Sequence, residues 1–163
     1  MRLPVVILGR VTDSHVLPDP STPFGETVRT RLREEAIVWL TTVGRGGTPQ
    51  PLPVWFLWQQ DPESAWGDGS FLIFNDSAAA RLASFTERPR VALNFNSIGG
   101  GGVAVFTGRV EILDGHPLAH EVPEYVAKHS PRVQASGRDV DLATFMAKYS
   151  VVTRIRPEKV RGF

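Results

Sequence analysis

The apolar positions of the chain recur with helical and strand spacings, which divide it into short elements. In residues 26–36, Val28, Leu32 and Ala36 form one stripe among charged residues, and this spacing predicts a helix. Residues 37–43, IVWLTTV, are β-branched and aromatic, as is typical of a strand. After a GRGG turn, the proline-rich run that ends at Trp58 returns antiparallel to it. The same criteria predict strands at 70–75, 90–96, 103–113 and 149–157, and helices at 77–87, 117–129 and 139–148.

This order of elements favours a small, mainly antiparallel barrel with short helices added to it. Strands do not alternate regularly with long helices, so a parallel doubly wound sheet is not expected. Gly108 falls inside a long predicted strand and indicates a bulge or bend there. Residues 11–25 carry three prolines among polar turn formers. We therefore divide the chain into an N-terminal arm, 1–24, and one folded domain, 25–163.

Composition narrows the classes of function. The 163 residues include 18 basic and 17 acidic side chains, for a net charge of +1, so neither nucleic acid nor a membrane surface is an expected partner. The chain has no cysteine, which excludes disulfides, thiolate metal sites and cysteine nucleophiles and suits a cytoplasmic protein. The opening MRLPVVILGR is too short an apolar run for a membrane span. We interpret it as a strand on the body or as an upstream extension.

Histidines provide the one pattern that resembles a metal site. His116 and His120 are four residues apart and are followed by Glu121 and Glu124. Pro117 and Pro123 interrupt this stretch, so the two histidines need not share a helical face, and we favour a solvated helix entry without a metal. His15 falls in the arm. His129 is expected at a helix end, in contact with the helix dipole.

Prolines alternate in the stretch TVGRGGTPQPLPVWFLWQ. Residues i and i+2 of a strand present their N–H groups to the same neighbour, and proline has no N–H. Pro49, Pro51 and Pro53 therefore leave one edge of the strand without donors, while the residues between them can still pair. Such an edge suits a ligand, another subunit, or simple protection against further strand pairing. Spacing does not separate these interpretations.

A second stretch, SFLIFNDSAAARLASF, runs from a strand directly into a predicted helix. Ser77 or Asp76 is the expected N-cap, with Asn75 beside it and Arg81 one turn later. Free N–H groups near a guanidinium suit a phosphate. The alternative is a plain cap with an exposed arginine, and the spacing alone favours that alternative.

Four stretches in this order resemble one family of enzymes. WLTTVGRGGTPQPLPVWFLW, FLIFNDSAAARLASFTERPRVAL, VFTGRVEIL and KYSVVTRIRPEKVRGF are similar to the flavin and deazaflavin oxidoreductases of the pyridoxamine 5'-phosphate oxidase-like split β-barrel superfamily. The similarity is greatest to the actinobacterial branch of probable F420-dependent enzymes, and it extends from about Pro20 to Phe163. The resemblance implies a mainly β fold, a six-stranded antiparallel split β-barrel of Greek-key type. It also implies a homodimer with two cofactors at the interface, F420 or alternatively FMN.

The resemblance also implies which residues contact the cofactor. The ring would lie along the second strand, at Gln50, Pro51, Leu52, Pro53, Val54 and Trp55. The phosphate site would comprise Asn75, Ser77, Arg81 and Ser84, where Ser84 replaces the asparagine that the family often has. Arg154 and Arg156 would contact the tail of the long deazaflavin. No catalytic residue and no metal ligand is predicted.

A reduced deazaflavin carries the hydride itself, so the protein need only bind, orient and exclude water. The expected function is therefore an F420-dependent oxidoreductase that acts on an electron-poor small molecule, of quinone or enone type. The alternatives are an FMN-dependent enzyme of the same fold and a non-catalytic carrier of flavin, deazaflavin or haem. The aromatic side chains available as substrate walls, or equally as core or dimer interface, are Trp55, Phe56, Trp58 and Trp66.

Overall fold

The computed structural model describes residues 15–137 and 142–163, which form one curled sheet with helices around it. The strands are β1 (Ile37–Val43), β2 (Pro49–Trp55), β3 (Leu57–Gln60), β4 (Gly69–Asn75), β5 (Arg90–Asn94), β6 (Ala104–Leu113) and β7 (Val151–Gly162). The helices are α1 (Pro23–Glu34), α2 (Arg81–Glu87), α3 (Pro123–Ala135) and α4 (Leu142–Ala147), with a single 3-10 turn at Ala119–Glu121.

All strand pairs are antiparallel, in the order β2-β1-β5-β6-β7-β4-β3. The two edge strands, β2 and β3, are consecutive in the chain and are separated only by Phe56. The sheet must therefore curl until its edges meet at this residue. Phe56 is fully buried, and its N–H donates to the carbonyl of Ala36, which anchors the crossing point. The result is the predicted mainly antiparallel split barrel.

Two apolar clusters cover the two faces of the sheet. The cluster inside the barrel combines alternate strand residues such as Leu40, Phe71 and Phe106 with Val28 and Leu32 from α1. This confirms that the 26–36 stripe faces the core. The second cluster lies on the outer face of β4 and β7 and is covered by the 3-10 turn, α3 and α4. Its buried members are Leu72, Phe74, Ala119, Val122, Tyr125, Met146 and Val152.

The sheet has seven strands instead of six, because the apolar run after the prolines is divided at Phe56. The register of β6 against β7 shifts between Thr107 and Gly108, so the irregularity predicted at Gly108 is confirmed. A Cβ on Gly108 would lie 2.2 Å from the carbonyl oxygen of Arg156, a distance that only glycine permits. The last strand extends to Gly162, five residues beyond its predicted end at 157.

Helix boundaries differ more from the predictions. α2 begins at Arg81, not at residue 77, so neither Asp76 nor Ser77 is its N-cap. Asp76 instead accepts a hydrogen bond from the N–H of Ala78 in a turn before the helix. The predicted helix at 117–129 is divided at Val122 into the 3-10 turn and α3.

The described part of the arm is fastened to the body. Leu17 is buried in the core, and the carboxylate of Asp68 accepts hydrogen bonds from the N–H groups of Val16 and Leu17. The predicted strand in the first ten residues and the start of the helix predicted at 139–148 lie outside the described residues. Within the described ranges, no helix has the length and apolar character needed to cross a bilayer.

Candidate functional site

The proline pattern produces a free edge on β2. Among residues 15–137 and 142–163, this strand pairs only with β1, with Pro51 opposite Thr41 and Pro53 opposite Trp39. Proline cannot donate a hydrogen bond, so pairing with β1 relies on the residues between the prolines. Pro49, Pro51 and Pro53 are all exposed. The outer edge of the strand therefore offers carbonyl oxygens but few N–H groups.

A cavity of about 270 Å³ lies beside the end of this edge. It forms where β2 approaches the end of β4, the start of α2, and the helical segments that cover the outer face of the sheet. Its walls are mostly aromatic, and it contains one cation. The lining residues are Pro53, Val54, Trp55, Phe74, Arg81, Ala119, Tyr125, Phe145, Met146 and Tyr149. Such a cavity suits a planar ring system that carries or adjoins negative charge.

Arg81 is held in the cavity by Asn75. The Nε–H group of Arg81 donates to Oδ1 of Asn75 across 2.8 Å. The Nδ2 group of Asn75, which is fully buried, contacts the carbonyl oxygen of Val151 at 3.1 Å and Oγ1 of Thr153 at 3.0 Å. Burial lowers the pKa of Arg81, but an arginine titrates so far above neutral pH that it stays charged. Within the described ranges no hydrogen bond or salt bridge engages its terminal guanidinium nitrogens, although the charge of Asp76 acts on Arg81 and favours its charged form.

Two tyrosines, Tyr125 and Tyr149, line the same cavity as this cation. Tyr125 is 4% exposed, and no described residue makes a hydrogen bond with its hydroxyl group. Burial, with a contribution from the nearby Tyr149, raises the pKa of Tyr125 well above its usual range. Its phenol therefore remains protonated and is a donor for an oxygen or nitrogen of a bound molecule.

A stack of rings begins at Trp55 in the cavity wall. Trp55 and His129 lie parallel, with centroids 4.8 Å apart and an angle of 2° between the planes, and Tyr125 follows at 4.3 Å from His129. His129 is fully buried within α3, so the expectation of a helix-end contact with the dipole is wrong. Its Nε2–H donates to the carbonyl of Phe56 at 3.0 Å. Burial lowers the pKa of His129 to about 4, so the ring is neutral at pH 7.

The structure brings together part of the predicted cofactor set. Pro53, Val54, Trp55 and Arg81 line the cavity, and Asn75 lies directly behind Arg81. Gln50, Pro51 and Leu52 continue along the free edge, exposed and outside the cavity. Ser77 is exposed in the turn before α2. Ser84 lies within α2, where its carbonyl accepts from the N–H of Arg88.

The two tail-binding candidates lie elsewhere on the sheet. Arg154 and Arg156, on β7, both contact Glu111 of β6, at 3.3 and 3.4 Å. Neither lines the cavity. The residues that sequence reasoning missed are Phe74, Tyr125, Phe145, Met146 and Tyr149. Phe74 belongs to β4, and the other four come from α3, α4 and the loop after α4, which pack on the outer face of the sheet. Their only signal in the sequence is the apolar spacing of ordinary core residues.

The histidine pattern does not form a metal site. Nδ1 of His116 lies 2.8 Å from the carbonyl oxygen of Pro117, and His120 belongs to the separate 3-10 turn. Among residues 15–137 and 142–163 there is no cluster of three or more histidine or acidic side chains arranged to hold a metal.

A family model described as pyridoxamine 5'-phosphate oxidase matches residues 24–163. The chain belongs to the pyridoxamine 5'-phosphate oxidase family. The match begins at α1 and covers every strand of the barrel, including both sides of the cavity. A search of the curated proteins found no match.

Solved structures with the same fold have different described roles. An F420 reductase is 18% identical, with 81% of this chain and 94% of that chain covered and a TM-score of 0.58. A putative pyridoxamine 5'-phosphate oxidase from Listeria innocua is 16% identical, covering 83% and 94%, with a TM-score of 0.50. The heme storage protein HutZ from Vibrio cholerae is 11% identical, covering 84% and 92%, with a TM-score of 0.51. At these identities the likeness shows a shared fold.

Proposed function

We propose that this protein is an oxidoreductase that binds F420 in the cavity beside the proline edge and exchanges a hydride between that cofactor and an electron-poor small molecule of quinone or enone type. The observation that carries the proposal is the contact of Arg81 with Asn75. It holds a partly buried cation at one end of a cavity whose other walls are aromatic. A ring system linked to a phosphate needs this combination of apolar walls and a fixed positive charge.

The residues of the cavity have distinct roles in this proposal. The edge at Pro53 and Val54 offers backbone carbonyls to the polar side of the ring, since the proline removes an N–H that would compete. Trp55, supported by the ring of His129 behind it, provides a flat wall. The Arg81 guanidinium neutralises the phosphate. The bound cofactor supplies the hydride chemistry, and the protein binds and orients the cofactor and excludes water from it.

Tyr125 is the group best suited to influence the proton balance. Its hydroxyl is protonated at neutral pH, as for any tyrosine, and burial raises its pKa further, so it stays a donor in basic solution as well. A protonated phenol can donate a hydrogen bond to a carbonyl or ring atom and so stabilise negative charge that develops there. His129 does not share this role, since it is neutral and its Nε2–H is engaged by Phe56.

The size of the cavity supports a homodimer as part of the proposal. Its volume of about 270 Å³ is below the ~300–1,000 Å³ of typical cofactor pockets. A tricyclic cofactor would therefore extend onto the exposed part of the edge at Gln50, Pro51 and Leu52. A second copy of the chain that covered this edge would complete the site. In that arrangement Arg154 and Arg156 of the partner would be available to the cofactor tail.

The test is direct binding followed by turnover. Purified protein is titrated with F420 and, separately, with FMN, and binding is followed by cofactor fluorescence. Reduced F420 is then mixed with menadione or cyclohexenone, and reoxidation is followed by its visible absorption. We expect F420 to bind at micromolar concentration and to be reoxidised only with protein and acceptor present. Tight FMN binding without F420 binding would contradict the choice of cofactor.

Two alternatives keep the same site. FMN also has a tricyclic ring and a phosphate, so Arg81 and the aromatic walls would serve it equally. A carrier function would use the cavity for storage without turnover, a role in keeping with the fold shared with HutZ. Cofactor binding without reoxidation by any acceptor would favour the carrier.

A further inference from the structure

A second and larger cavity, of about 420 Å³, lies on another side of the barrel, between α1, β3 and α3. It shares no lining residue with the cavity beside the proline edge. Three of its lining side chains are cationic, namely Arg29, Arg33 and Lys128, and no acidic side chain is among the described residues that line it. The remaining walls include Trp58 and Trp66. The cavity therefore combines positive charge with aromatic surface.

The three cations differ in how they are engaged. Arg29 is held by carbonyl oxygens, including those of Trp66 and Pro18, so its role is to shape the wall. Arg33 is largely exposed at the rim and contacts the neighbouring Glu34 at 3.2 Å. The charge of Arg33 is therefore only partly balanced, in a contact that solvent screens.

Lys128 is the unusual member of the group. Its Nζ lies 3.8 Å from the centroid of the Phe56 ring, and its nearest hydrogen-bond acceptor is the carbonyl of Leu32 at 3.4 Å. No carboxylate in the described part of the chain forms a salt bridge with it. Burial lowers the pKa of Lys128 to about 8, so the amine is still largely charged at pH 7. Glu35, which pairs with Arg31, acts on Lys128 from a distance and favours its charged form, but it forms no salt bridge with Lys128. An anion that entered the cavity would stabilise this half-buried ammonium further.

The tryptophans determine what kind of anion fits. Trp66 is stacked on one side against His15, at 4.3 Å and 12°, and Trp58 is held edge-on by Phe71 at 5.1 Å. Both rings are therefore fixed in place before a ligand arrives, which limits the entropy lost on binding. Gln60 adds an amide that can donate or accept. Fixed aromatic walls next to two available cations suit a planar ring with an acidic substituent.

We propose that this cavity is a second ligand site, which binds a small planar aromatic molecule carrying a carboxylate or phosphate, with Lys128 and Arg33 pairing to the anionic group and Trp58 and Trp66 enclosing the ring. The site is independent of the cofactor cavity. Helix α3 separates the two, with Tyr125 facing the cofactor cavity and Lys128 facing this one. Occupancy of one site can thus be observed separately from the other.

Anthranilate is a suitable probe because it is a planar aromatic carboxylate, and anthranilamide is its neutral counterpart. Each is titrated into the 15N-labelled full chain at low ionic strength, and the four tryptophan indole N–H signals are followed. We expect anthranilate to shift the signals of Trp58 and Trp66. Anthranilamide should bind at least about tenfold more weakly than anthranilate. Shifts confined to Trp55 would assign the probe to the cofactor cavity and overturn the proposal. Absence of binding at millimolar concentration, or equal binding of the two probes, would also overturn it.

Matched variants locate the anion. Lys128→Met keeps the aliphatic stem above Phe56 and removes the charge, and it should weaken anthranilate binding about tenfold. Arg33→Gln, at an exposed position that should not affect folding, is expected to weaken it about threefold. Lys159→Met removes an exposed lysine from β7 and should change the affinity by less than about twofold. Unchanged affinity in both Lys128→Met and Arg33→Gln would overturn the assignment.

Discussion

The Nε–H group of Arg81 donates to Oδ1 of Asn75, so the only cation in the described lining of the proposed cofactor cavity has a fixed direction. If Arg81 binds the cofactor phosphate, Arg81→Met should weaken F420 or FMN binding at least about tenfold, because hydrogen bonds to a charged group contribute about 1.5–3 kcal/mol. Fluorescence titration measures this loss. The control is Arg90→Met, which removes an exposed arginine on β5 that pairs with Glu158 of β7. Equal losses in both variants would indicate a general charge effect and contradict a site at Arg81.

Asn75 should be important for both stability and binding. Asn75→Ala removes the donor to the carbonyl of Val151 and the acceptor for Arg81, both in the buried end of β4. The variant leaves the carbonyl of Val151 and the Nε–H group of Arg81 without these partners, which should lower the free energy of unfolding by about 1–3 kcal/mol. It should also lower cofactor affinity, since Arg81 would lose its orientation. Urea unfolding and cofactor titration measure the two effects.

The control for this variant is Asn94→Ala. The side chain of Asn94 is half-buried and makes one long hydrogen bond, of 3.4 Å, to the carbonyl of Phe95. We expect Asn94→Ala to lower the free energy of unfolding by less than about 1 kcal/mol and to leave cofactor affinity unchanged. If Asn75→Ala left cofactor affinity intact while Arg81→Met reduced it, the positioning role of Asn75 would be wrong.

The local part of the candidate site could be predicted from the sequence, and the rest could not. Pro53, Trp55, Asn75 and Arg81 lie in two short stretches whose residue types themselves indicate an unpaired edge and an anion site. Tyr125 and Tyr149 join them only because α3 and α4 pack on the outer face of β4 and β7. Tyr125 lies within α3 and Tyr149 in the loop after α4, and the spacing of both is that of ordinary core residues. No local signal in the sequence specifies which face of a curled sheet a distant helix packs against.

The proline edge can be tested by restoring one N–H group. Pro53→Ala adds a donor where the edge meets the cavity, and it should weaken cofactor binding several-fold because a carbonyl-rich surface gains a competing N–H. The side chain is exposed, so the free energy of unfolding should change by less than about 1 kcal/mol. Pro49→Ala makes the same change farther along the edge, outside the cavity, and serves as control. A larger effect on folding than on binding would favour simple edge protection.

The attachment of the arm should depend on acid pH through Asp68. Burial alone would raise the pKa of this carboxyl, but hydrogen bonds from Leu17, His15, Ser64 and Val16 together hold it below the usual 3.8. The Asp68 carboxyl therefore binds a proton more strongly in the unfolded chain than in the folded one. Its contribution to the free energy of unfolding is complete above about pH 4 and is lost as the pH falls below that value. Asp68→Asn should lower the free energy of unfolding at pH 7 by about 1–3 kcal/mol and reduce its decline in acid.

Urea unfolding between pH 3 and 7 checks this expectation. Asp114→Asn, which removes an exposed carboxyl from the loop after β6, is the matched control and should leave both the stability and its acid dependence close to those of the native chain. If Asp68→Asn were as stable as the native chain at pH 7, the arm would not be fastened through this carboxyl.

The strands were predictable because period-two alternation and β-branched residues act locally, and β1 matches its predicted bounds at Ile37–Val43. α2 was predicted a full turn too long. Residues 77–80 have helical composition, but Asp76 satisfies the N–H of Ala78 in a turn instead, and Arg81 then starts the helix where its side chain can reach Asn75. These side-chain hydrogen bonds override the weak helical preference of an alanine run.

His129 should make stability depend on pH in a separate window. Burial lowers its pKa to about 4 in the folded protein, against about 6.5 for an unfolded histidine. Between these values the unfolded chain binds the proton and the folded chain does not. Stability should therefore be complete above about pH 6.5 and fall toward pH 4 by up to about 1.4 kcal/mol per pH unit. The effect of Asp68 begins only below that window, so the two contributions can be separated.

His129→Phe isolates this contribution while keeping a ring against Trp55. It loses the hydrogen bond to the carbonyl of Phe56, so the free energy of unfolding at pH 7 should drop by about 1–3 kcal/mol. The slope between pH 6.5 and 4 should become shallower, as measured by urea unfolding at fixed pH values. His116→Gln, which removes a partly exposed histidine from the outer face, should keep the slope. A slope retained in His129→Phe would mean that another group carries it and that folding does not lower the pKa of His129.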